Sequence, residues 1–180
     1  MVFKGFFATA LFALGNLQPA MAGAPQPVPQ AQAPAGRAES RTVAAVRVVQ
    51  TLIDYTRWPQ RPGPLELCTA GSAIFADRLG EIRLADGRPV RLHRLGPDFD
   101  KVGRCAVVYI GQLLPHAQDR LAAVLRGRSV LTIVEADPQC RGEAMFCLLT
   151  GPEGAGFTLD IDAVARSELR IDPRLLRLAR

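Results

Sequence analysis

The chain has 180 residues, 22 Lys and Arg against 17 Asp and Glu, 48% apolar residues and a pI near 9.5. That length and apolar content fit one domain with a real core. Scattered arginines with only 6% aromatic residues argue against nucleic acid as a partner; the basic balance suits anionic head groups or an acidic protein face instead.

The chain opens MVFKGFFATALFALGNLQPAMAGA: Lys4, an apolar run over 5–15, the helix breaker Pro19, then the small-x-small site Ala20-Met21-Ala22. This is the layout of a secretory signal peptide over 1–22, cleaved after Ala22. The run is too short to span a bilayer, which takes roughly 20 apolar residues. No cysteine follows the cleavage site, so a lipoprotein is not expected. Export implies an oxidising compartment, and all four cysteines (Cys68, Cys105, Cys140 and Cys147) lie beyond the signal. Four cysteines allow three pairings, and sequence does not choose among them. Cys140 and Cys147 stand seven apart, too wide for a CxxC redox site. That spacing suits a clip between a loop and the strand after it.

Residues 23–40 are Pro, Ala and Gln with almost no bulky apolar side chain, which predicts a disordered leader; the folded domain is expected over 41–180. A helix over 42–56 carries Val46, Val49 and Ile53 on one stripe and Val48, Leu52 and Tyr55 beside it. Trp58-Pro59 ends it, and 59–64 is a turn-rich connector. LELCTAG (65–71) reads as a buried strand, and 72–82 as a helix with Ser72 as its N-cap. Asp86-Gly87 makes a turn, and 88–95 alternates as a strand. A loop over 96–104 leads to CAVVYIG (105–111), a continuous apolar strand of the kind found inside a sheet. Pro115 starts a helix that turns Leu121, Val124 and Leu125 inward and ends at Gly127. SVLTIVE (129–135) is another apolar strand. AMFCLLT (144–150) and FTLDID (157–162) form an edge hairpin around a Gly-rich turn. A short helix over 163–169 follows, then a terminal helix begun by Asp172-Pro173, with Leu175, Leu176 and Leu178 as its apolar side. Strands alternating with helices predict an α/β fold: a mostly parallel sheet with helices on both faces and an antiparallel edge hairpin near the C-terminus.

Chemistry-bearing patterns are sparse. Gly71-Ser72 leaves a strand for a helix and could offer N–H groups to an anion, but one glycine is far from a phosphate-binding fingerprint. His93 and His116 have no second histidine at ligand spacing. Alternation along FTLDID puts Asp160 and Asp162 on the solvated side of an edge strand, and Trp58 reads as a core or rim residue. No catalytic centre, metal site or cofactor is expected. One non-enzymatic reading is a periplasmic small-ligand binding module, with its cleft beyond the carboxyl ends of the strands near Gly71 and Gly111.

YTRWP (55–59), LELCTAG, GRPVRL (87–92), CAVVYIG, SVLTIVE, the Cys140/Cys147 pair and the close LDIDAVARSEL…LLRLA occur in an order that resembles the YfiR family, DUF4154, over 42–180. The resemblance implies a periplasmic, non-enzymatic repressor, often dimeric. It would hold inactive an inner-membrane diguanylate cyclase through that enzyme's periplasmic sensor domain, lowering cyclic-di-GMP and biofilm formation. An outer-membrane OmpA-like lipoprotein would sequester it. The resemblance also implies the disulfides Cys68–Cys105 and Cys140–Cys147, with redox sensitivity through them. Trp58, Asp160, Asp162 and Leu169, inside the matching motifs, are the residues expected to touch a partner. The family's Phe-x-Ile-Asn reads Leu159-Asp160-Ile161-Asp162 here, and its Ser-Ser-Lys reads Asp172-Pro173-Arg174. The pair Cys68–Cys105 carries a geometric condition. In adjacent, in-register parallel strands the two would stand some 13 Å apart at roughly 3.3 Å per residue, whereas a disulfide needs Cα atoms within about 7 Å. The bond requires a shifted register, or Cys105 lying in the loop before its strand.

Overall fold

The structure, a computed structural model, describes residues 34–59, 63–135, 137, 139–140, 144–152 and 154–179. The expected signal peptide over 1–22, residues 23–33 of the expected leader and part of the expected 59–64 connector lie outside the described residues.

The central sheet is built from β2 (Leu65–Ala70), β3 (Val90–Arg94), β4 (Val107–Ile110), β5 (Leu131–Glu135), β6 (Phe146–Gly151) and β7 (Gly154–Leu159), in the order β3-β2-β4-β5-β6-β7. Every neighbouring pair is parallel except β6 and β7, which form an antiparallel hairpin at one edge. A two-stranded ribbon pairs β1 (Thr56–Arg57) with β8 (Arg170–Ile171). Among the described residues three α-helices accompany the sheet: α1 (Pro34–Asp54), α2 (Pro115–Leu125) and α3 (Ile161–Arg166). The α/β class, the parallel sheet and the antiparallel hairpin agree with the sequence reading. The central strands β4 and β5 are nearly continuous buried apolar runs because both of their faces are covered.

Alternation along the strands divides the core in two. On one face Leu67, Val107, Tyr109, Ile133, Phe146 and Phe157 pack under Ala45, Val49, Leu52 and Ile53 of α1. On the other, Cys68, Ala70, Cys105 and Val108 pack under Leu121 of α2 with Phe99 and Val102. Phe146 and Phe157 meet edge to face, centroids 5.7 Å apart, which closes the hairpin onto the α1 side.

Four local expectations need correction. The helix α1 begins at Pro34, so 34–40 are helical rather than part of a disordered leader. Arg37, Ala38 and Glu39 are good helix formers and extend a helix whose later half is anchored in the core, and Glu39 pairs with Arg78 at 2.9 Å. Residues 72–82 do not make an α-helix: only a 3₁₀ segment forms over Ala76–Glu81, and Ser72 is not its cap. Ser72 instead exchanges backbone hydrogen bonds with Gln112. Asp160 and Asp162 do not line an edge strand, because β7 stops at Leu159; Asp160 becomes the N-cap of α3, accepting the Ala163 N–H at 2.9 Å, and Asp162 lies in the first helical turn. The terminal helix is a 3₁₀ turn, Pro173–Arg177. With that tighter periodicity only Leu175 reaches the core, while Leu176 and Leu178 stay 55% and 51% exposed.

Candidate functional site

Both disulfides form in the pairing that the resemblance implied: Cys68–Cys105 with Cα atoms 5.8 Å apart and Cys140–Cys147 with 5.5 Å. The geometric condition on the first is met in the second way anticipated. Cys68 of β2 stands in register with Val108 of β4, and Cys105 precedes β4, at the end of a 3₁₀ turn over Asp100–Arg104. That turn folds over the α2 face and drops Cys105 onto Cys68. Cys147 lies between Phe146 and Leu148, which face α1, so it too points to the α2 face. Asp137 shapes the other end of the clip, its carboxylate accepting the Gln139 N–H and its carbonyl the Cys140 N–H at 3.1 Å. Cys140 takes a left-handed φ of 49° there.

A backbone crossing closes the crevice between β2 and β4. The sheet order reverses between β2 and β4, where an open α/β sheet commonly leaves a ligand crevice. Here the Ser72 and Gln112 backbones bridge across it, with N–H···O distances of 3.1 and 2.8 Å. A Cβ on Gly71 would overlap the Gln112 carbonyl, and one on Gly111 would overlap Ser72. The two glycines serve a backbone crossing, and the cleft at the strand ends lies on the β4–β5 side of it, where Gly111 and Gln112 join its lining. The protein supplies its own anion to the turn after β2: the Glu135 carboxylate, 5% exposed, accepts the Ile74 N–H at 2.7 Å. The fully buried Tyr109 hydroxyl lies beside the Glu135 carboxylate. Burial, with the Glu135 charge beside it, pushes its pKa far up, so it stays neutral. Sequence reasoning missed Glu135; the available signal was a lone acid ending an otherwise apolar central strand.

The residues expected to touch a partner are distributed as follows. Trp58 is half-buried beside the β1–β8 ribbon and donates its indole N–H to the Ala106 carbonyl at 3.1 Å. It borders a cavity of about 390 Å³ with Ile53, Arg57, Leu84, Asp86 and Arg88. Arg88 pairs with Asp86 at 2.6 Å, and its backbone N–H and guanidinium hold the Asp86 carboxyl below its ordinary range. Leu169 is buried at the entry to β8 and belongs to the same core cluster that Trp58 packs against. Asp160 is committed to the α3 cap, and Asp162 is exposed. The ribbon thus draws Trp58 and Leu169 towards one region, whereas the two aspartates sit at the start of α3.

The C-terminal segment is clamped to the end of α1. The Asp172 N–H donates to the Tyr55 carbonyl at 2.9 Å. The Arg174 guanidinium lies 5.2 Å over the Tyr55 ring and also reaches the Asp172 carboxylate at 2.8 Å. Arg174 holds the Asp172 carboxyl down to about 2. This clamp leaves apolar side chains outside: Ile161, Leu176 and Leu178, each more than half exposed, belong to 160–179. Leu176 and Leu178 were expected on the apolar side of a terminal helix, and no sequence signal for the exposure of Ile161 was read.

His93 of edge strand β3 pairs with Glu66 rather than with a nucleophile, and all four thiols are held in disulfides. Among the described residues no three His, Cys, Asp or Glu side chains gather as a metal site, and no helix is long and apolar enough to cross a membrane. A family model described as YfiR/HmsC-like, DUF4154, matches residues 43–180.

Proposed function

Because this chain belongs to the YfiR/HmsC-like family, DUF4154, we propose that it represses an inner-membrane diguanylate cyclase by binding the periplasmic sensor domain of that enzyme. The family is periplasmic, and its members are regulators that act with a membrane diguanylate cyclase rather than enzymes. The match over 43–180 is the observation that carries the reading. Repression is a population shift: the regulator binds the inactive state of the sensor domain more tightly and biases the cyclase towards it, lowering cyclic-di-GMP and biofilm formation. The signal peptide over 1–22 delivers the chain to the periplasm. An outer-membrane OmpA-like lipoprotein sequesters it and relieves the bias, and a homodimer is the proposed binding form.

The C-terminal segment supports this reading as the partner surface. Ile161, Leu176 and Leu178 are exposed apolar groups carried on backbone tied to α1 and to the core, so docking onto them needs little further ordering. Trp58 and Asp162 are proposed at its margin. Leu169 and Asp160 hold the segment in place rather than contact the partner. The disulfides make the binding form redox-sensitive, because Cys140–Cys147 tethers the chain just before the hairpin that leads into α3.

The experiment is a cyclase assay on inner-membrane vesicles with the sensor domain intact. Added protein lowers cyclic-di-GMP synthesis, and a Leu176→Glu/Leu178→Glu variant, altered only at exposed positions, loses that effect while keeping its thermal transition. Synthesis that is unchanged by saturating wild-type protein would sink the reading.

A further inference from the structure

The α2 face carries a cleft that neither the disulfides nor the C-terminal segment accounts for. It measures about 1360 Å³ and runs along β5, between α2 on one side and Ala144, Met145 and α3 on the other. Leu121, Leu125, Val130 and Val134 give it an apolar lining, with the Thr132 hydroxyl among them. The Thr132 oxygen accepts the Met145 N–H at 2.9 Å; its own proton goes to no described acceptor.

The two ends differ in charge. Arg126, just past α2, and Arg166, in the last turn of α3, line the end at which β5 begins. Their chain segments are tied together by the Ser129 hydroxyl, which donates to the Glu168 carboxylate at 2.6 Å. Neither guanidinium has a hydrogen bond or ion pair among the described residues, although the acids Asp86, Asp172 and Glu81 elsewhere on the surface each hold an arginine. At the other end Glu135 and Asp137 line the cleft, and Glu135 is engaged with the Ile74 N–H. Four steps along β5, at roughly 3.3 Å each, put the two ends about 13 Å apart. Unpaired guanidiniums over an apolar floor match one ligand chemistry: a carboxylate on an extended apolar body.

We propose that this cleft binds a small amphipathic carboxylate, with the anionic head between Arg126 and Arg166 and the apolar chain along Val130 and Val134. The site is separate from the exposed C-terminal leucines, and its occupancy does not depend on the cyclase reading. For a regulator it would be an input by which an exported or environmental acid reaches the protein.

The test is calorimetric titration of the intact, disulfide-bonded chain with decanoate, with octylamine and octanol as cationic and neutral probes. Saturable one-to-one binding of decanoate is expected, weakened about ten-fold or more in Arg126→Gln/Arg166→Gln and by added salt. Both arginines are exposed, so the variant should keep its circular dichroism spectrum and thermal transition. Val134→Gln, which puts an amide on the floor, should weaken decanoate in the same direction. Arg88→Gln, in the cavity beside Trp58, should leave it unchanged. No saturable binding of decanoate, equal binding of octylamine, or a loss that follows Arg88 instead of Arg126 and Arg166 would each overturn the proposal.

Discussion

Among the described residues, the sheet and its surroundings bury one cluster of 22 under α1; under α2 the corresponding cluster has eight. Both disulfides are on the α2 side. The α1 face receives apolar side chains from α1, from the 3₁₀ turn over 76–81, from the hairpin and from the C-terminal segment, so removing water holds it closed. The α2 face is covered mainly by one 11-residue helix and the 3₁₀ turn before β4, and a broad cleft opens between that helix and α3. Where little apolar area can be buried, restricting the unfolded chain is the remaining means of stabilisation, and an exported protein can use covalent bonds for it. The lesson is a division of labour across one sheet: burial makes the α1 face rigid, and cross-links let the α2 face stay open.

The largest test of this contrast is on the buried face. Phe146→Ala removes a fully buried ring that also meets Phe157, and should lower unfolding free energy by about 4 kcal/mol in urea denaturation. On the α2 face, Cys68→Ala/Cys105→Ala opens a loop of separation 37 and should cost nearly as much, about 4 kcal/mol, whereas Cys140→Ala/Cys147→Ala opens a separation of 7 and should cost about 2 kcal/mol. Equal costs for the two bonds would show that chain entropy is not what the cross-links contribute. If the second variant kept its stability but lost partner regulation, the clip would be a switch and not a staple.

Smaller effects sharpen the contrast at the boundary between the faces. Glu135→Ala leaves the Ile74 N–H without its acceptor and should cost about 2 kcal/mol, whereas Tyr109→Phe, which deletes a buried hydroxyl beside Glu135, should cost less, about 1 kcal/mol. The smallest effect is at the C-terminal clamp. Arg174 depresses the Asp172 carboxyl from 3.8 to about 2. A depressed folded-state value stabilises the fold above the ordinary carboxylate range, and the contribution disappears as pH falls through about 2. A carbon-detected titration of Asp172 should therefore show its midpoint near 2, and Arg174→Gln should move it back up towards 3.8. An unshifted midpoint in the wild-type chain would show that the clamp is not formed in solution.

Much of the architecture was legible because it rests on local pattern. Runs such as VVYI and LTIVE read as central strands, Pro115 suits the start of a helix, and Gly127 suits its end; period and backbone chemistry carry those signals. The order of motifs was enough to reach the family. The disulfide pairing came from that resemblance rather than from spacing. The sequence alone also stated the condition that Cys68–Cys105 would have to satisfy, because strand rise and disulfide span are fixed by covalent geometry. Tertiary structure decided how the condition is met, by curling the turn before β4 over the α2 face. It decided, too, that Gly71 and Gly111 serve a backbone crossing, that Glu135 caps the turn after β2, and that Leu176 and Leu178 face water while Leu175 does not. Each of these depends on which distant segment arrives beside a residue, and a one-dimensional pattern encodes the periodicity of a segment but not the identity of its neighbours.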